Sequence, residues 1–325
     1  MLSFLVLLAL AFCFLNGFHD AANSIATVVS TRVLRPLQAV AWAAAFNFLA
    51  IFLLQMGVAT TIATGLVEPA AIDPAIVFGA LAGGIIWNVV TLRLGIPISS
   101  AHALISALVG ATLVSAGPGA LVADGVLLFV LFVLLAPLIG LMLGLVLMVA
   151  VFNIFRRVAA RSADRLFRRL QLVSSALYSL GHGSNDAQKT VGIIWLLLID
   201  AGRASTDAPP GWVSVASYGA IAGGTLLGGW RIVRTMGQRI VKLAPAGGFC
   251  AESAGAGATH LASFFGIPIS TTHTITASIV GVGIANRLSS VRWGVAGVIA
   301  WAWFLTLPAA GLLGALGYFM ARRMA

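Results

Sequence analysis

The residues of this chain that could do chemistry come in two matched sets. Asp20-Ala-Ala-Asn23 is echoed 166 residues later by Asp186-Ala-Gln-Lys189. Gly95-Ile-Pro-Ile-Ser99, followed by Ser100 and His102, is echoed 171 residues later by Gly266-Ile-Pro-Ile-Ser270, followed by Thr271, Thr272 and His273. Proline fits the first turn of a helix and hydroxyl residues favour its start. Pro97 and Pro268 therefore each read as the entry to a helix that begins inside an apolar stretch. Such a start leaves backbone N–H groups open and presents the positive end of a dipole. Together with the hydroxyls of Ser99, Ser100, Ser270 and Thr271 it forms an anion site. Two such starts, entering from opposite faces, would clamp one tetrahedral oxyanion. The alternative is that these hydroxyls only bond back to carbonyls of their own helices. That explains a single cluster better than two matched ones.

Asp20 and Asp186 lie in apolar surroundings, where a carboxylate costs about 3 kcal/mol or more unless it is paired or protonated. Asn23 and Lys189 follow them by three residues, on the same helical face. Asp186 with Lys189 reads either as part of a site or as a structural ion pair. Two carboxylates and a divalent anion repel one another, and Lys189 alone does not cancel that charge. Cations or protons must then enter with the anion, which points to symport and away from a passive channel. Carbonyls of broken helices with Asp and Asn oxygens suit a small hard cation such as sodium. Glu252 is a third carboxylate in an apolar stretch, either a coupling-ion ligand or a partner of Arg239 or Lys242. His102 and His273 read as proton carriers or as residues that fix helix ends. Ser–His neighbours also hint at a nucleophile and base, but their duplication fits a symmetric binding site better than one catalytic centre, so no enzyme is expected. Asn47 and Asn88 are weaker polar candidates.

The elements that must position these groups are membrane helices. Of 325 residues 60% are hydrophobic and 9% charged, against about 25% charged in soluble proteins. Hydropathy and breaks predict ten crossings, at 1–30, 37–67, 74–92, 96–116, 125–152, 170–199, 213–230, 243–265, 267–286 and 294–320. Alternate connections hold fifteen of the nineteen basic residues, among them the six arginines between 156 and 169. The positive-inside rule makes that set cytoplasmic and turns both termini outward. Net charge of +10 is thus explained by topology, and no nucleic-acid partner is expected. Five crossings per half is an odd number, so the halves run in opposite directions, as in the inverted repeats of secondary transporters. The expected fold is an all-α polytopic membrane protein: a first repeat over 1–152, a basic cytoplasmic loop over 153–169 and an inverted second repeat over 170–325, with broken or re-entrant helices. Trp87, Trp195, Trp212, Trp230 and Trp293 fall near span ends like an aromatic belt; Trp301 and Trp303 do not. Gly140 and Gly144 read as a close-packing GxxxG pair. Cys13 and Cys250 sit in apolar runs, and no Cys/His cluster has structural-metal spacing.

These motifs resemble those of the inorganic phosphate transporter (PiT) family, prokaryotic type. Gly17-Phe-His-Asp20-Ala-Ala-Asn23 is similar to its first-half signature, and His182-Gly-Ser-Asn185-Asp186-Ala-Gln-Lys-Thr190 to its second. The two Pro-Ile-Ser-x-x-His runs, Trp87-Asn88 and Gly247-Gly-Phe-Cys-Ala-Glu252 also match, in order, over nearly the whole chain. The resemblance implies uptake of inorganic phosphate coupled to sodium or protons, about twelve membrane segments instead of ten, and a homodimer in a prokaryotic inner membrane. It assigns Asp20, Asn23, Asn185 and Asp186 to the ion and phosphate site, and Ser99, Ser100, Ser270 and Thr271 to phosphate oxygens. His19 stands where the family usually has Asn, and Ala101 where a hydroxyl is common. His19 could titrate, which suggests protons as the coupling ion. Sulfate is the rival substrate; only phosphate can donate a hydrogen bond to a carboxylate at neutral pH.

Overall fold

The fold was read from a computed structural model that describes residues 1–53 and 57–324. Twelve α-helices and no strand are found among the described residues. They are α1 (Leu2–Ser30), α2 (Pro36–Leu49), α3 (Gly57–Thr64), α4 (Pro74–Leu94), α5 (Ser100–Ala116) and α6 (Ala123–Phe155), then α7 (Ala160–Asp200), α8 (Gly211–Leu227), α9 (Trp230–Arg234), α10 (Pro245–Phe264), α11 (Thr271–Asn286) and α12 (Trp293–Met324).

Each Gly-Ile-Pro-Ile-Ser run is the turn between two packed helices, α4 with α5 and α10 with α11. Gly95 and Gly266 both stand at φ +68°, a left-handed conformation that costs a glycine nothing and ends the preceding helix. The proline then prevents the helix from resuming. Ser99 and Ser270 cap the next one, each accepting a 3.1 Å bond from the backbone N–H three residues on, at His102 and His273. Local sequence thus dictates both breaks.

The long helices cross over between the halves. α6 packs on α10 and α11, and α12 packs on α4 and α5. α1 lies on α8, and α7 lies on α2 and α3. α6 and α12 are 33 and 32 residues long, and each contains a proline, Pro137 and Pro308. Their outer faces expose Leu127, Leu131, Leu134, Leu138, Trp301, Leu305 and Leu312, a surface that only lipid covers without cost. One apolar cluster joins Leu5, Phe12, Ile62, Ile76, Leu104 and Ile194 from α1, α3, α4, α5 and α7. A second joins Ile25, Val40, Tyr178, Ile275 and Ile279 from α1, α2, α7 and α11.

Several expectations change. By length and composition four helices suffice to cross a membrane, α1, α4, α6 and α12, or five if the bent α2–α3 pair is one span. The others expected to cross are shorter, like the 17-residue α5 and α8, or carry the polar residues of the site, like α7, α10 and α11. Their polar side chains are buried inward, among them Asp186, Glu252 and Thr271. The expected single span 37–67 is two helices whose directions differ by 79°. The basic segment 153–169 completes α6 as far as Phe155 and is helical again from Ala160, where Phe167 is buried against Phe155 and Phe249, with ring centroids at 5.0 and 5.5 Å, and Arg168 pairs with Asp164 one turn back at 2.8 Å. Trp195 is no belt residue: it is buried and donates to the Ser205 carbonyl at 2.9 Å. Trp303, which fits no belt, stacks on His273 at 4.0 Å and donates to the Pro97 carbonyl at 3.1 Å.

The seam between α6 and α11 is close because Gly140 has no side chain. A Cβ there would lie 2.3 Å from the Thr274 carbonyl oxygen of α11. Overpacking of this kind costs about 1–3 kcal/mol. Gly140→Val is expected to lower the midpoint of thermal unfolding of the detergent-purified protein by several degrees, whereas Gly257→Ala, where a Cβ meets nothing within 4 Å, should leave it unchanged.

Candidate functional site

The middle of α7 carries His182, Asp186 and Lys189 on one face, at intervals of four and three residues. All three are buried. Lys189 Nζ donates to Asp186 Oδ1 and, at 3.0 Å, to the carbonyl of Ile269 just before α11. Thr271, in the first turn of α11, donates its hydroxyl to Asp186 Oδ2 at 2.8 Å. His182 Nε2 lies 3.1 Å from the same oxygen, and its Nδ1 lies 3.3 Å from Asn47 Oδ1 of α2. The Asn47 amide in turn donates to Thr225 of α8 at 2.9 Å. Asp186 therefore has neighbours from its own helix and from the broken α10–α11 turn.

The first half presents His19, Asp20 and Asn23 on α1, again buried. Asn23 donates its amide to Thr272 Oγ1 of α11 at 2.8 Å, so it reaches across into the second half. His19 Nδ1 lies 2.8 Å from Asp20 Oδ1, and Nε2 lies 3.2 Å from Thr91 Oγ1 of α4. Thr91 already donates its own hydrogen to the Trp87 carbonyl at 3.0 Å, so it accepts from His19 Nε2. His19 thus bridges the Asp20 carboxylate of α1 and Thr91 of α4.

The two halves meet at the aspartates. One ligand atom each from Asp20, Asp186 and His182 lies within 4.8 Å of the others. Beside them the first turns of α5 and α11 face each other through His102 and His273, whose rings sit edge to face at 4.6 Å. His102 also packs against Phe129 at 5.2 Å. The rings of this pair thus serve as packing between the two helix starts. Ser99 and Ser270 use an oxygen lone pair in their caps, and Ser100 donates to Asn88 Oδ1 at 2.8 Å. Asn185 donates to Ser263 Oγ at 3.1 Å and to the Ile267 carbonyl at 3.3 Å, next to the second turn. Asn23 Oδ1, Asn185 Oδ1 and Ser24 Oγ are buried oxygens with no hydrogen-bond partner. Buried polar atoms are nearly always satisfied, so these oxygens are suited to a ligand, ion or water.

Glu252 stands apart from this cluster. It is fully buried in α10, where Gln171 donates to Oε1 at 3.0 Å and the Ser174 hydroxyl donates to Oε2. Gln171 also accepts from Thr31, at the end of α1, at 2.9 Å. Among the described residues it forms no ion pair with Arg239 or Lys242, so the pairing alternative is not realised. His182 and Thr272 are site residues that the motif reading passed over. The signal for His182 was its position one turn before Asp186.

The chain matches the model of the phosphate transporter family over residues 16–314. It is 53% identical to a "Probable low-affinity inorganic phosphate transporter" of Rhizobium meliloti (strain 1021), over 98% of this chain and 95% of that one. A relative of the same name in Bacillus subtilis (strain 168) is 42% identical over 97% and 96%. Among solved structures, "The sodium-dependent phosphate transporter" superposes with a TM-score of 0.88 at 23% identity, covering 100% of this chain and 99% of the other, and so shares its fold. The relatives are named as transporters and not as enzymes, and the apolar helices make this a multi-pass membrane protein. The chain belongs to the phosphate transporter family.

Proposed function

We propose that this protein imports inorganic phosphate by symport with a cation. The observation that carries the reading is the convergence of Asp20 and Asp186, one from each half, beside the facing first turns of α5 and α11. Phosphate would lie against the open N–H groups of those turns and the hydroxyls of Ser99, Ser100, Ser270 and Thr271. Asp20, Asn23, Asn185 and Asp186 would hold the coupling cation and orient the anion. A monohydrogen phosphate can donate its proton to one of the aspartates, and sulfate has none to give; this favours phosphate over sulfate. The names of the relatives agree.

The coupling ion favoured by the site is a proton. Its support is the position of His19, 2.8 Å from Asp20 Oδ1 and 3.2 Å from Thr91 Oγ1, which makes it a candidate proton carrier. Sodium is the second reading, supported by the unpartnered oxygens of Asn23 and Ser24 and by the name of the structural relative. Glu252, walled by neutral donors, is a further candidate for a carried ion.

The architecture is proposed to be an inverted repeat, with halves 1–152 and 170–325 joined by the basic segment 153–169. Its support is the matched geometry: equal glycine φ angles, equal serine caps, and α6 on α10–α11 where α12 lies on α4–α5. The arginines support a cytoplasmic side for 153–169 in an inner membrane, with both termini outside, by the positive-inside rule.

Proteoliposomes given separate proton and sodium gradients should accumulate labelled phosphate, with little competition from sulfate. Asp20→Asn and Asp186→Asn should each reduce uptake at least about tenfold, as loss of a buried charge partner costs several kcal/mol; accumulation of sulfate instead would overturn the phosphate reading. His19→Asn should flatten the dependence of uptake on pH between about 5 and 8. An unaltered pH profile in that variant would transfer the coupling role from protons to sodium.

A further inference from the structure

Lys189 is the one residue at which the matched sets differ in charge. Asp20 is followed three positions later by neutral Asn23, and Asp186 by Lys189. The Lys189 ammonium is bound by a carboxylate oxygen of Asp186 and a main-chain oxygen, that of Ile269 at 3.0 Å. Carboxylate and broken-helix carbonyl oxygens are the ligands a small hard cation takes in such sites. Both lie where the α10–α11 turn meets α7, and the ammonium is 1% exposed.

The corresponding place in the first half holds no lysine or arginine; the neighbour of Asp20 is the His19 imidazole at 2.8 Å. There neutral Asn23 stands three residues after Asp20 with its amide given to Thr272, and Asn23 Oδ1 and the adjacent Ser24 Oγ are buried without partners. Ile98, the counterpart of Ile269, is likewise buried just before α5. The charged and titratable groups around the two places are Asp20, His19 and Cys13 on α1, His182, Asp186, Lys189 and Tyr178 on α7 and His102 on α5, with no lysine or arginine on α5, α10 or α11.

We propose that Lys189 is a tethered cation: its ammonium permanently fills the second of two equivalent cation positions, so that only the first, at Asp20 and Asn23, is loaded from solution. This rests on the symport reading above. Because the ammonium is covalently attached, its charge stays in the protein when phosphate leaves, and each phosphate is accompanied by one cation fewer than two open positions would carry. A purely structural ion pair would affect folding and leave the number of cations per phosphate untouched.

The test is the coupling ratio, read in proteoliposomes as the ion gradient that just balances a phosphate gradient. Lys189→Asn copies the first half into the second and should raise the ratio by one cation per phosphate, with a steeper dependence of rate on cation concentration. Lys189→Arg, which keeps the charge, should keep the wild-type ratio. Asn23→Lys is the mirror change: it should lower the ratio by one and weaken concentrative uptake. An unchanged ratio in Lys189→Asn overturns the proposal. If that variant gives no monodisperse protein, an unchanged ratio in Asn23→Lys does so. Wild-type protein that moves no phosphate under any gradient overturns the symport reading itself, and the tethered cation with it.

Discussion

Everything in this molecule is organised around two carboxylates held close together away from water. One ligand atom of Asp20 lies within 4.8 Å of one of Asp186, and both side chains are almost wholly buried. Like charges at that distance, in a medium of low polarity, repel by several kcal/mol unless protons, cations or strong donors intervene. Around Asp186 the structure supplies an ammonium, a hydroxyl and an imidazole. Around Asp20 it supplies one imidazole. The unequal provision leaves Asp20 with fewer partners of its own chain than Asp186.

Holding such a cluster requires walls, and the chain builds them from its least polar parts. α6 and α12 give their outer faces to lipid and their inner faces to the turns that contact the site. Those turns are irregular backbone at membrane depth, tolerated only where protein covers them. Glycine at the sharp bend, proline after it and serine at the next cap determine where the irregularity falls. Small residues such as Gly140 let the walls approach until backbone touches backbone, which excludes water from the spaces between.

Much of this was readable from residue order. The duplicated Asp and Pro-Ile-Ser runs foretold that distant segments converge, and Asp20 and Asp186 do; the Ser99 and Ser270 caps follow from local chemistry alone. Other features were hidden because they depend on partners remote in sequence. The break in the expected span 37–67 carries no proline or charged residue at the break itself, since α3 is held there by contacts to α7. Glu252 has Arg239 and Lys242 nearby in sequence, yet its partners Gln171 and Ser174 come from about eighty residues away. The arginine-rich segment reads as a loop by charge, and Phe167 turns it into a helix by packing. His182 was visible in the spacing but not in its role, because nothing in the sequence tells that Asn47 would meet its other nitrogen.

The contact between His102 and His273 has a mechanical meaning. Each ring sits in the first turn of a helix, the two helices belong to opposite halves, and the rings meet at 4.6 Å while His273 is backed by Trp303. Aromatic rings in a close-packed interior resist compression, so neither helix start can advance without pushing the other or breaking the stack. A displacement of either helix start is thereby felt at once at the other. Under the transport proposed above, such an interlock would work as the paired doors of an airlock do.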